Sequence, residues 1–158
     1  MERIRLILAH ELFRTALSRI REAEEDRRFC GHGMGHLLDV ARIARIMNVE
    51  EAYHVEPERI YAAALLHDIG RSVEYMDGTP HERASADMAG KILTDCGFAR
   101  GETELILRSI RSHRNAEVSQ EKDLRGLLYR ADKASRACYV CAAQTECRWK
   151  KKNTVLEY

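Results

Sequence analysis

Apolar residues recur every three or four positions along almost the whole chain, and no stretch sustains an alternation of period two. Such spacing buries one stripe of an α-helix and gives a strand no buried face, so the expected fold is all-α. The two prolines, Pro57 and Pro80, both stand where a helix can begin. The pattern divides into about six to seven helices. The first covers residues 2–26, with Ile4, Leu8, Leu12, Ala16, Ile20 and Ala23 on one stripe. "CGHGMG" then breaks the chain, because its three glycines make poor helix. A second helix runs from about Gly35 to Met47, and a third from Pro57 through Ile69, closed by Gly70. For the fourth, Thr79 as N-cap, Pro80 at the first position and Glu82 three residues on form a capping box, with Gly97 as the stop after Cys96. The fifth and sixth are expected over about 102–113 and 121–140.

No linker, repeat or low-complexity tract divides residues 1–158, so they read as a single domain, long enough to bury roughly 70% of its unfolded surface. A net charge of +1 gives no strong nucleic-acid signal and no field for an anionic membrane surface. The apolar run in "MERIRLILAHELF" is broken by His10 and Glu11, too short for a signal peptide or a membrane span. The expected location is therefore cytoplasmic, where thiols stay reduced. The five cysteines then read as metal ligands or packing residues rather than disulfides.

Against this apolar background, a few ionisable residues stand on faces that should be buried. His36 heads the stripe Val40, Ile43, Met47; His67 follows Ile60 and Ala64; His113 follows Ile106 and Ile110; Asp132 follows Leu124 and Leu128. In "AALLHDIGR", Asp68 sits beside His67. One such histidine alone is most often a hydrogen-bonded core residue. Several carboxylates and imidazoles facing one core are what a metal site provides, because a cation balances the buried charge. Mixed His and Asp ligation suits divalent first-row ions.

At these residues the chain resembles the HD-domain metal-dependent phosphohydrolases, whose signature is a His, a His-Asp pair and a distant Asp, all on helices. The matching stretches are "GHLLDVARIA" with His36, "LLHDIGR" with His67 and Asp68, and "LLYRADKASR" with Asp132. The resemblance spans roughly residues 30–137 and implies an HD-like helical bundle. His81 in "PHERASADMAGKIL" and His113 in "SIRSHR" occupy places where some branches add ligands for a second ion. It implies that Asp68 bridges two ions, that His36, His67 and Asp132 hold the first, and that His81 and His113 hold the second. Fe, Mn, Ni or Zn would serve, as one ion or two. His10 and His54 match nothing in the pattern and are expected to face solvent.

The activity so implied is hydrolysis of a phosphate ester or phosphoanhydride, and the substrate expected is a nucleotide or related small phosphorylated molecule. Asp68 would position water and Lys133 would support the transferred charge, as catalytic residues. Arg71, Arg114, Lys133 and Arg136 lie one to four residues from the expected ligands and would bind the substrate phosphate. The acidic residues of the guanosine-tetraphosphate hydrolases and the Gly-Tyr-Pro signature of the cyclic-dinucleotide phosphodiesterases are both missing.

A second constellation closes the sequence. In "CYVCAAQTECRW", residues 138–149, Cys138 and Cys141 form a C-x2-C pair and Cys147 follows after five residues. A zinc ion or an iron–sulfur cluster needs a fourth ligand, for which Cys30 is the expected residue. The stretch also looks like the C-terminal part of small bacterial HD proteins. The alternative to an enzyme is a non-catalytic metal- or redox-sensing helical protein that uses Cys138, Cys141 and Cys147. Cys96 reads as a buried structural thiol.

Overall fold

The computed structural model describes residues 1–149 and 152–158. Among them the chain forms eight α-helices and no strand: α1 (Glu2–Ala9), α2 (Glu11–Ala23), α3 (Met34–Glu50), α4 (Pro57–Leu66), α5 (Arg71–Asp77), α6 (His81–Asp95), α7 (Arg100–Ser112) and α8 (Leu124–Ala134). Two 3-10 turns, Ala116–Gln120 and Cys138–Val140, flank α8. The all-α architecture agrees with the apolar spacing.

The centre of the bundle is α4, which packs against α1, α3, α6, α7 and α8. Its sequence explains the position: Ile60 and the run Ala62–Leu66 are apolar on every side, and all are buried. The small side chains of Ala62, Ala63 and Ala64 let neighbouring helices approach closely. One contiguous apolar core extends from Ile4 in α1 to Ala131 in α8.

Several local expectations are corrected. The segment 2–26 is two helices rather than one, broken at His10, whose backbone is extended and whose Nδ1 accepts the Leu12 N–H at 3.2 Å. The break shifts the buried stripe to Ile4, Ile7, Phe13, Ala16 and Ile20, leaving Leu8 exposed. His10 is therefore a half-buried cap, 3.2 Å from Asp95 Oδ2, rather than a solvent-facing residue; His54 is exposed as expected.

Gly70 does not close a helix. The helix before it ends at Leu66, and Gly70, with right-handed backbone angles, starts α5. Its missing side chain serves a close approach: a Cβ there would lie 2.3 Å from the Ser85 nitrogen and 2.4 Å from the His81 carbonyl oxygen in α6. The expected capping box at Thr79 does not form either. The helix starts one residue later, at His81, with Pro80 as N-cap, and the Glu74 carboxylate reaches across from α5 to accept the His81 N–H at 3.4 Å. The sixth helix is shorter than its periodicity, ending at Ala134, and Asp123 caps its start by accepting the Arg125 N–H at 2.8 Å.

Candidate metal centre

Four histidines and two aspartates meet at one end of the bundle, beside a cleft of about 1160 Å³. The six side chains arrive on five elements. His36 comes from the first turn of α3, His67 and Asp68 from the turn between α4 and α5, His81 from the start of α6, His113 from the end of α7, and Asp132 from α8.

Asp68 stands at the middle. Its Oδ2 lies 3.5 Å from His36 Nε2 and 3.4 Å from His67 Nε2. Asp132 Oδ1 meets the same two nitrogens at 3.6 and 3.9 Å. The other Asp68 oxygen, Oδ1, lies 3.2 Å from His81 Nε2 and 3.6 Å from His113 Nε2. The carboxylate thus divides the other five side chains into two sets, one for each of its oxygens.

The outer ring nitrogens explain why the Nε2 atoms point inward. His67 ends α4 and His113 ends α7, and each Nδ1 donates to the carbonyl three residues back, Ala64 O and Ile110 O, at 2.7 Å. Those carbonyls belong to the last helical turns, where acceptors have capacity to spare; Ile110 O also takes the His113 N–H at 3.4 Å. A carbonyl only accepts, so Nδ1 carries the hydrogen and Nε2 keeps its lone pair. His81 Nδ1 sits 3.0 Å from Glu74 Oε2, and His36 Nδ1 sits 3.3 Å from Ser135 Oγ, which itself donates to the Asp132 carbonyl at 2.8 Å. Outer partners of this kind orient imidazoles toward a metal.

The atoms facing the centre fit a cation. His36 Nε2, His67 Nε2 and Asp68 Oδ1 are buried without a hydrogen-bond partner. An unpaired buried polar atom costs about 1–3 kcal/mol. His81 Nε2 and His113 Nε2 face each other at 3.3 Å, and two lone pairs cannot bond to one another. A positive ion on each side of Asp68 resolves both problems, and imidazole with carboxylate suits a divalent transition metal. Two overlapping groups with His67 in common, His36–His67–Asp132 and His67–Asp68–His113, are each tight enough to hold a metal ion.

The charge states agree with a ligand set. Burial pushes the His67 pKa down to about 4, so its imidazole is neutral near pH 7. Burial also lowers His81. Burial acts to raise Asp68, but His67, His113, His36 and Arg71 outweigh it and hold the carboxyl well below the ordinary range. Asp132, raised by burial but lowered more by His67 and Lys133, stands at about 2.

The expected phosphate-binding residues Arg71, Arg114, Lys133 and Arg136 all line the cleft. Arg71 Nε stands 3.3 Å from Asp68 Oδ2, Lys133 pairs with Asp132, Arg114 pairs with Glu82 at 3.2 Å, and Arg136 stacks on the Trp149 ring. Three further cations, Arg27, Arg28 and Arg148, share the cleft and lie outside the expected set. So does His32, which is buried, lies with its ring 5.6 Å from that of His36, and is held by Glu24 through Nδ1 at 2.5 Å. The signal for His32 was its place four residues before His36, weakened by the glycines around it. Cys30, Cys138, Cys141 and Cys147 line the same cleft, whereas Cys96 is buried elsewhere in the core.

The model of the HD domain family matches residues 33–143. The chain belongs to the HD domain family. It is 41% identical over its whole length to an uncharacterized protein of Clostridium beijerinckii, itself covered in full. It is 31% identical over 69% of its length to a ribonuclease Y of Oleidesulfovibrio alaskensis, and 30% identical over 51% to one of Acidothermus cellulolyticus. The chain spans only 19% and 14% of those two ribonucleases. Among solved structures, a predicted HD superfamily hydrolase from an uncultured Thermotogales bacterium is similar, with a TM-score of 0.59 and 29% identity over 77% of this chain and 66% of that one. The HD chain is accordingly a metal-dependent phosphohydrolase in its general class, binding divalent metal and acting on a phosphorylated substrate. Among the described residues no helix is long and apolar enough to cross a membrane.

Proposed function

We propose that this HD protein hydrolyses a phosphoester or phosphoanhydride bond of a nucleotide, with His36, His67 and Asp132 holding one divalent ion, His81 and His113 a second, and Asp68 bridging them. The observation that carries the reading is the division of the site by the two oxygens of Asp68. A bound divalent ion lowers the pKa of water toward neutrality and polarises a phosphoryl oxygen.

The chain's own residues do the rest. Asp68 accepts a hydrogen bond from the attacking water and so fixes its direction. Lys133, anchored on Asp132, and Arg71, beside Asp68, place positive charge where negative charge spreads over the phosphoryl oxygens. His32, held through Nδ1 by Glu24, sets its ring beside that of His36 on the cleft wall. Arg114 and Arg136 extend the cationic lining toward a longer phosphate chain. Aromatic side chains, Tyr129 and Trp149 among them, line the same cleft and suit a nucleobase. Two relatives are named ribonucleases, and a nucleotide phosphodiester falls within the proposed substrate class.

The test is a panel of nucleoside mono-, di- and triphosphates, a dinucleoside polyphosphate and a short RNA, with a generic aryl phosphate as reference, on manganese-loaded protein. Hydrolysis of a panel member, lost in Asp68→Ala, is expected. Full activity in Asp68→Ala removes the role given to the site, and cleavage of the aryl phosphate alone removes the nucleotide.

A further inference from the structure

Four of the five cysteines line one cleft, although Cys30 stands far from the others in sequence. Cys30 lies in the loop between α2 and α3, and Cys138, Cys141 and Cys147 lie in the segment that follows α8. Three consecutive tight turns carry the last three. Cys141 N–H donates to Cys138 O at 3.3 Å, Gln144 N–H to Cys141 O at 3.1 Å, and Cys147 N–H to Ala143 O at 3.0 Å. Cys30, from the other stretch, lines the same cleft as Cys138, Cys141 and Arg136.

Packing accounts for Cys138, which is buried, but not for the other three thiols. Free cysteines that serve packing are among the most buried residues, as Cys96 is here. Cys30 is exposed, and Cys141 and Cys147 are half-exposed. Nor does a core hold the segment 138–149 in place. Only Cys138 and Ala143 are buried in it, while Tyr139, Val140 and Trp149 are exposed. It is tied down by polar contacts such as Arg28 to Glu146 at 2.8 Å and Gln144 Nε2 to Cys138 O at 2.9 Å. A stretch with so little apolar burial keeps a fixed shape when a staple supplies what the core does not.

We propose that Cys30, Cys138, Cys141 and Cys147 form a second, tetrathiolate metal centre, separate from the His/Asp site, that clasps the α2–α3 loop to the C-terminal segment at the mouth of the cleft. Its occupant is a soft, thiophilic centre, a zinc ion or an iron–sulfur cluster, since both take four cysteine thiolates. Such a centre is anionic, and Arg27, Arg28, Arg136 and Arg148 line the same cleft to balance it. The clasp joins the two stretches that carry these arginines and Trp149, so it sets the shape of the cleft's outer rim. This inference does not depend on which phosphate ester the His/Asp site cleaves.

The experiment is elemental analysis of the full chain purified without oxygen, with acid-labile sulfide, visible absorption and native thiol titration. Wild type, Asp68→Ala and Cys141→Ser are compared. The expected result is about one equivalent of zinc, or iron with matching sulfide and a visible band, that persists in Asp68→Ala and is lost in Cys141→Ser. Zinc or iron with sulfide names the occupant, and either supports the centre. In wild type, the four thiols should react only after the metal is displaced, and their release should open residues 138–149 to protease. If Cys141→Ser fails to fold, those wild-type readouts still decide. Four thiols that titrate freely in the native protein, a disulfide among them, or metal wholly lost in Asp68→Ala overturns the proposal.

Discussion

At His67 and His113 one local device does two tasks: where a helix ends, a carbonyl of its last turn accepts an imidazole Nδ1–H, which at Ile110 O joins the His113 backbone N–H. The fixed tautomer then turns the Nε2 lone pair toward Asp68. His81 is held differently, by the side chain of Glu74, which can be changed without touching the backbone. Glu74→Gln should weaken the His81–His113 ion by about 10–100-fold while the ion on the other side of Asp68 stays bound. Metal titration by calorimetry, resolving two sites, reads this; equal weakening of both sites would show that Glu74 does not act through His81. A second residue-scale prediction concerns Glu24. Burial pushes its carboxyl up, but hydrogen bonds from His32 and Tyr75 outweigh this and bring it to about 2, below the ordinary 4.5. A depressed folded pKa means stability that is complete above pH 4.5 and is lost as pH falls toward 2. Allowing for solvent screening, roughly 1–2 kcal/mol should go across that window in wild type and not in Glu24→Gln. Denaturant unfolding at pH 6 and pH 3 compares the two, and parallel losses would remove the Glu24 contribution.

The elements are placed by contacts that make small residues obligatory at two points. A Cβ on Gly70 meets the backbone of α6, and one on Gly126 would lie 2.0 Å from the Glu121 carbonyl oxygen, where the 3-10 turn joins α8. Backbone cannot move aside as a flexible side chain does. Gly70→Ala should therefore cost about 3 kcal/mol or more and shift α6, with His81 on it, away from Asp68. Thermal unfolding together with metal stoichiometry checks both parts: the second ion should be lost before the first. Most helices were legible in the spacing of apolar residues, and so were the six His and Asp side chains that the structure brings together. The departures arise where side chains from distant elements intervene. Glu74 supplies the cap expected of Thr79, the His10 side chain breaks the first helix, and Gly70 is fixed by a neighbour that no local pattern contains. His32 was obscured because its glycine-rich surroundings read as exposed loop, whereas Glu24, eight residues earlier, draws it inward.

On the scale of the whole molecule, the His/Asp site is where the bundle's elements are joined at one end. α3, the α4–α5 turn, α6, α7 and α8 each contribute a side chain, so an ion bound there favours the folded chain over every state in which one of them has moved away. The atoms left unpaired at its centre make the same point from the other side, since they are costs that the folded chain bears until a cation arrives. Binding linkage gives the size. At an ion concentration about 100 times the dissociation constant, the folded state gains about 2.7 kcal/mol, and for a domain of this size each kcal/mol moves Tm by about 2–4 °C. Stripping the His/Asp site should thus lower Tm by roughly 5–11 °C. The cysteine centre also yields metal to a chelator, so the measurement is a difference: the Tm change on adding manganese to chelator-treated protein, in wild type and in Asp68→Ala. Only the wild type should rise, because its hard carboxylate and imidazole ligands take manganese and thiolates do not favour it. An equal rise in Asp68→Ala would mean that the ion stabilises the chain from somewhere other than the junction of these five elements.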